Sequence, residues 1–289
     1  MTILYDSPIF GPVHSRRLGL SLGINLMPAD GKVCTFDCIY CECGLNAQRR
    51  PTLPRPTRRE VAEALETKLK QMVADGQRPD VLTFAGNGEP TAHPDFANII
   101  DDTIRLRNLY CPEAKVSVLS NATQLHRKDV FEALLRVDNN IQKLDTVDPD
   151  FIRAVDRPTS PNYDVRNVIS QLKAFNGHVI IQTIFLNFEE RGTRSEERGA
   201  RNEKRETRSE EREMSPDSCF LTPPPKGGGW EGALSPWLAA LKEIAPQSVM
   251  IYTIDRETPV GGLQKATPDE LNRIRDLVIA EGIPCTASY

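Results

Sequence analysis

The chain has 289 residues, 39% of them hydrophobic, and a formal charge of −4, which supplies one substantial core and argues against indiscriminate binding to nucleic acid or membranes. Seven cysteines, odd in number and thinly spread, do not read as a disulfide framework. No targeting or apolar spanning segment is recognisable, so a cytoplasmic protein without a membrane partner is expected, in the reducing compartment that free thiols need.

Short β-type apolar runs alternate with amphipathic helical stretches, the pattern of parallel βα units. The first run, residues 20–26, leads into Cys34-Thr35-Phe36-Asp37-Cys38-Ile39-Tyr40-Cys41. Three cysteines at the spacing C-x₃-C-x₂-C can hold three irons of a cubane iron–sulfur cluster, leaving the fourth iron open to a small molecule. A full set of four would instead make an electron carrier. A zinc site completed by Cys43 is the alternative, although C-x-C after C-x₂-C is cramped for a tetrahedron.

Next, Thr57 and Glu60 form a capping box, and Val61, Leu65, Leu69 and Met72 line one helical face. The run 81–85 ends in the turn Gly86-Asn87-Gly88-Glu89-Pro90, where glycines let backbone approach a ligand closely. The run 116–119 ends in Ser120 and Asn121, which serve either as helix caps or as ligand contacts. The run 141–144 carries Lys143 and Asp145, which lie two apart and project to one side of a strand, as an internal ion pair or as ligand contacts. Asp164 opens a helix buried along Val165, Val168, Leu172 and Phe175, with Gly177 as its stop. The run 179–186 holds Gln182, a mid-strand amide that needs partners.

From 188 to 233 the composition changes. Nearly every residue from 189 to 213 is charged or small, Thr-Arg-Ser-Glu-Glu-Arg occurs twice, and Pro-Pro-Pro and Gly-Gly-Gly runs follow. Such a segment has no apolar face to offset ordering and is expected to be a disordered insertion. The run 249–252, a third cap at Thr267 with Pro268 in the first helical turn, and a last run at 284–287 complete the chain.

The cysteine motif with Tyr40 at the aromatic position resembles that of the radical S-adenosylmethionine (SAM) enzymes. The resemblance implies an α/β fold, a partial (β/α)₆ TIM-type barrel open on one side, made of residues 1–187 and 234–289 with the low-complexity segment inserted. It implies a 4Fe–4S cluster on Cys34, Cys38 and Cys41, with SAM as the second cofactor. The implied SAM contacts are Asn87, Gly88, Glu89 and Pro90 for the amine, Ser120 and Asn121 for the ribose or carboxylate, Asp145 for ribose or substrate, and Tyr40 beside adenine. Asn87 stands where the family has glycine. Residues 11–25 and 251–259 are similar to Fe–S oxidoreductases related to wyosine-tRNA synthases. Those synthases carry further N-terminal cysteines; none precedes Cys34 here, and Cys43, Cys111, Cys219 and Cys285 show no ligand spacing, so no auxiliary cluster is expected. The implied function is reductive SAM cleavage with the 5′-deoxyadenosyl radical used on an unidentified substrate, tRNA or another nucleotide-related molecule being candidates. Arg16, Arg17 and Arg256 are candidate contacts to an anionic substrate or RNA phosphate. An electron donor such as flavodoxin or ferredoxin is the implied partner. Glycyl-radical activation of a partner protein, and a non-catalytic metal-stabilised RNA-binding module, are the alternatives.

Overall fold

The computed structural model describes residues 2–15, 17–188 and 230–289, excluding the side chains of 230–233. Arg16 and residues 189–229, most of the insertion expected over 188–233, lie outside them.

In chain order, an edge strand β1 (Ile9–Ser15) turns into β2 (Gly19–Ile24), followed after the cysteine loop by helix α1 (Arg58–Ala74). Then come β3 (Val81–Phe84), α2 (Phe96–Tyr110), β4 (Lys115–Ser120), α3 (Lys128–Leu134) and β5 (Asn139–Lys143). A single turn α4 (Pro149–Phe151) runs into a π-helical turn (Ile152–Asp156) and is followed by α5 (Val165–Lys173), β6 (Ile180–Ile184) and β7 (Leu186–Phe188). The chain finishes with α6 (Trp230–Ile244), β8 (Ser248–Tyr252), β9 (Leu263–Lys265), α7 (Pro268–Ala280) and β10 (Cys285–Ser288).

Eight strands form one curled, open sheet in the order β1-β2-β3-β4-β5-β6-β8-β10. All neighbours are parallel except β1, which runs antiparallel along the edge. Six parallel strands are each followed by a helix, so the expected (β/α)₆ partial barrel is what the chain builds.

Register decides which residues meet. Paired residues of parallel strands share a face, and Leu82 with Val116, and Phe84 with Val118, are paired and fully buried. They face the helical layer, where Val61, Leu65 and Leu69 of α1 and Phe96 and Ile99 of α2 complete the core. The expected capping boxes at Thr57 and Thr267 both form. The opposite face pairs Thr83 with Ser117, Lys143 with Gln182, and Ile184 with Tyr252. That face is far more polar, and it lines the inside of the curl.

Two elements differ from the sequence expectation. The run 179–186 is not one strand: β6 ends at Ile184, Phe185 N–H closes its ladder on Tyr252 O, and β7 leaves the sheet to pair with β9. Strand β1 was not expected, since Gly11 and Pro12 interrupt it; as an edge strand with a register shift between Phe10 and Val13 it tolerates both. No helix among the described residues is long and apolar enough to cross a membrane.

Candidate cluster and cofactor site

The loop from Cys34 to Cys41 has no helix or strand of its own. Its shape comes from two neighbours. On one side Val33 forms a parallel bridge with Gly88, donating to Asn87 O at 2.9 Å and accepting from Glu89 N–H at 3.1 Å. Gly88 sits at φ +143°, and a Cβ there would lie 1.8 Å from Val33 O, so only glycine allows this approach. On the other side the π-helical turn after β5 meets the loop. Asp37 N–H donates to Asp156 O at 3.0 Å and Ile39 N–H to Val155 O at 2.9 Å. Phe36, Ile39 and Tyr40 then bury against Phe151, Val155, Ile184 and Leu186 in a small apolar cluster of their own.

Two of the three thiols have an N–H donor aimed at them. Cys34 Sγ takes Phe36 N–H at 3.5 Å and Asn121 Nδ2 at 3.6 Å. Cys38 Sγ takes Lys143 Nζ at 3.4 Å. Cys41 lies beside Cys43 and feels the positive charge of Lys32. The three thiols also feel one another's charge. Burial pushes the Cys34 thiol up to about 12, against the pull of Lys32, and raises Cys38 against the pull of Lys143. Cys41 is lowered to about 6, chiefly through its proximity to Cys43, whose own thiol is raised for the same reason. A bound metal deprotonates a ligating thiol outright.

The donor set fits a cubane with one open iron. Among the described residues no three His, Cys, Asp or Glu side chains are grouped around a single ion position. A zinc site asks for donors converging on one point at about 2.3 Å, whereas a cubane takes one sulfur at each of three corners. Cys43 turns aside to Gly86 O, 3.1 Å from its Sγ, and does not complete a tetrahedron.

Several expected SAM contacts have their side chains engaged elsewhere. Asn87 is fully buried, with Nδ2 donating to Tyr5 O and Pro28 O at 2.9 Å and Oδ1 accepting from Tyr5 N–H at 2.8 Å. Glu89 caps the turn at Pro90: Oε1 accepts from Thr91 N–H at 3.0 Å and Oε2 from Asn121 N–H at 2.7 Å. Burial raises its pKa against those bonds. Ser120 Oγ accepts from Ala122 N–H at 3.0 Å in a local turn, and caps no helix, since α3 begins at Lys128 behind Arg127. Asn121 is the exception, since its side chain lies against Thr35 and the Cys34 sulfur.

Asp145 takes the ion-pair alternative. Its Oδ2 lies 3.1 Å from Lys143 Nζ and accepts the Tyr40 hydroxyl, while Oδ1 accepts Ile184 N–H at 3.1 Å. Tyr40 is held by this carboxylate; burial first, then the charge of Asp145, keeps its phenol protonated far above the usual range. Asp156, which sequence reasoning did not single out, lies 2.5 Å from the same ammonium. Burial lifts its pKa to about 7 although Lys143 pulls it down. Lys32 was missed as well: it is 3% exposed and bonds Gly44 O at 2.7 Å and Asp37 Oδ1 at 3.4 Å. Neither carries a motif; a lysine two residues before the first cysteine was the available signal. Arg17 lies 4.7 Å above the Tyr252 ring, and Arg256 bonds Tyr5 Oη at 2.9 Å and Glu42 at 2.7 Å, on the side where the sheet is open.

Comparison with known proteins agrees with this geometry. The family model described as "Radical SAM superfamily" matches residues 30–193. A relative from Methanocaldococcus jannaschii, "UPF0026 protein MJ1312", is 30% identical over 183 residues, covering 61% of this chain and 53% of that protein. The chain spans about half the length, or less, of the first curated relatives it matches. Among solved structures, a radical SAM methyltransferase from Sphaerobacter thermophilus aligns with TM-score 0.59 and 13% identity, covering 93% of this chain and 66% of that one. TYW1 with a lysine-pyruvate adduct bound aligns with TM-score 0.57 and 13% identity, covering 90% and 73%. At such identities the likeness concerns the fold alone.

Proposed function

This chain belongs to the radical SAM superfamily, with SAM and an iron–sulfur cluster as its cofactors, and we propose that Cys34, Cys38 and Cys41 are the three cluster ligands. When bound, cluster and SAM together supply a 5′-deoxyadenosyl radical that removes a hydrogen atom from substrate. The protein's part is to hold and to shield. The main chain of Gly86 to Pro90 receives the SAM amine; Asn87 and Glu89 shape that turn with side chains already bonded elsewhere, so glycine or asparagine serves equally at 87. Asn121 stays beside the Cys34 sulfur, within reach of the SAM carboxylate or ribose, and Ser120 supports it. Tyr40 and Asp145 form the wall beside the adenine, held as a pair. Thr83, Ser117 and Gln182 give the inside of the curl a polar lining for substrate.

The observation that carries this reading is the locked cysteine loop, with N–H donors at the Cys34 and Cys38 sulfurs. An oxidoreductase-type reaction on an anionic, nucleotide-related substrate such as tRNA is the finer proposal, with Arg17 as the cation at the open side and a flavodoxin or ferredoxin as electron donor. Anaerobically reconstituted protein should contain iron and sulfide, and release 5′-deoxyadenosine when reduced with SAM. Replacing Cys34, Cys38 and Cys41 together by alanine should abolish both. A triple variant that still cleaves SAM would sink the assignment.

A further inference from the structure

One lysine reaches a cysteine of the loop directly. An ammonium carries three N–H donors and no acceptor. At Lys143, whose side chain is only 14% exposed, the three acceptors are Asp156 Oδ1 at 2.5 Å, Asp145 Oδ2 at 3.1 Å and Cys38 Sγ at 3.4 Å. The third partner is a cysteine sulfur. A lysine is almost never fully buried unless paired, and an apolar side chain of similar length would fill this space without the desolvation cost.

We propose that Lys143 acts as an outer partner of the cluster, directing an ammonium N–H at the Cys38 sulfur and making the bound cluster easier to reduce. This rests on the assignment of Cys34, Cys38 and Cys41 as ligands. Hydrogen bonds to the sulfurs and local net charge are two of the levers that set a cluster's potential. Reduction adds one electron, taken from the external donor protein, with no bond made or broken. The added negative charge is shared by the ligand sulfurs, so a cation touching a sulfur stabilises the reduced form more than the oxidised one. Asp145 and Asp156 oppose this at Lys143: two carboxylates share one ammonium. Lys143 is therefore a positioning residue for the cluster's electronics and touches no substrate.

The test is a potentiometric titration of the full chain, reconstituted without oxygen and without SAM, followed by EPR of the reduced cluster. D156N is compared with K143M/D156N, because both lack the same carboxylate and differ only in the ammonium. The double variant should be at least tenfold harder to reduce, which is about 59 mV lower for one electron. Equal potentials overturn the proposal. A second measurement needs no variant: protein grown with ¹⁵N-lysine should show a nitrogen coupling to the reduced cluster in pulsed EPR, and its absence also overturns it. Wild-type protein without a 4Fe–4S cluster, or a C38A variant that keeps one with three intact protein ligands, defeats the ligand assignment and this inference together. A three-cysteine cluster whose potential ignores Lys143 defeats this inference alone.

Discussion

The cysteine loop is held from two flanks that work on opposite principles. At the Gly86–Glu89 turn the contact is main chain to main chain, and what matters is the missing side chain at Gly88. At the end of β5 the backbone bonds are joined by a buried cluster in which Lys143 answers Asp145, Asp156 and Cys38. The first flank is indifferent to most side chains, which is why Asn87 can stand in a glycine position with its amide turned away toward Tyr5 and Pro28. The second depends on every member, because removing one leaves a buried charge uncompensated.

That contrast can be broken by substitution. Lys143→Ala should be the most damaging change, about 3–5 kcal/mol of stability in the cluster-free protein by urea denaturation, since two carboxylates lose their cation. A loss under about 1 kcal/mol would mean that the carboxylates neutralise themselves by taking up protons, and the flank would be less charge-dependent than described. Gly88→Ala should come next, at about 2–3 kcal/mol, because the turn must leave both its φ and its approach to Val33. It should also weaken iron retention, read by iron content after gel filtration. Unchanged stability and iron content would show that the glycine flank is softer than its geometry.

The smallest effect is a pH dependence, and it sharpens the comparison. Burial raises Asp156 to about 7 in the folded chain, above an ordinary unfolded carboxylate. The folded state therefore binds an extra proton between the two values, and stability falls as pH rises through that window, levelling off above it. The urea midpoint of cluster-free protein should be higher at pH 5 than at pH 8 by an amount that D156N removes. A D156N protein with the same slope as wild type would assign the effect to another group.

Much of the frame was readable from residue order. Apolar runs at 20–26, 81–85, 116–119, 141–144 and 249–252 all became strands of the sheet, because central parallel strands are buried on both faces and stand out as continuous apolar stretches. The capping boxes at Thr57 and Thr267 are local chemistry and appear as expected. Edge elements carry weaker signals: β1 contains Gly11 and Pro12, and β7 is defined by its pairing with β9, a strand far along the chain. The cysteines were legible through spacing. The Lys143–Asp145 pair was one of two readings, while Lys32 and Asp156 acquire meaning only when the loop and the π-helical turn fold together. Glu89 read as a ligand contact in the sequence, while in space its carboxylate is already satisfied.

Strands β7 and β9 have a consequence for how this gene can change. Phe188 is the last described residue before 189–229 and Trp230 the first after it, both within the segment 188–233 expected as an insertion. Immediately upstream, β7 is laddered to β9, and Asn187 reaches Glu270 at 3.2 Å. Downstream, Trp237 is locked by Phe185 and by Leu144 O, 3.0 Å from its indole nitrogen. Both lips of the splice are thus clamped independently of whatever is spliced between them. Each lip is held by its own contacts, so a change in chain length between Phe188 and Trp230 need not disturb either flank.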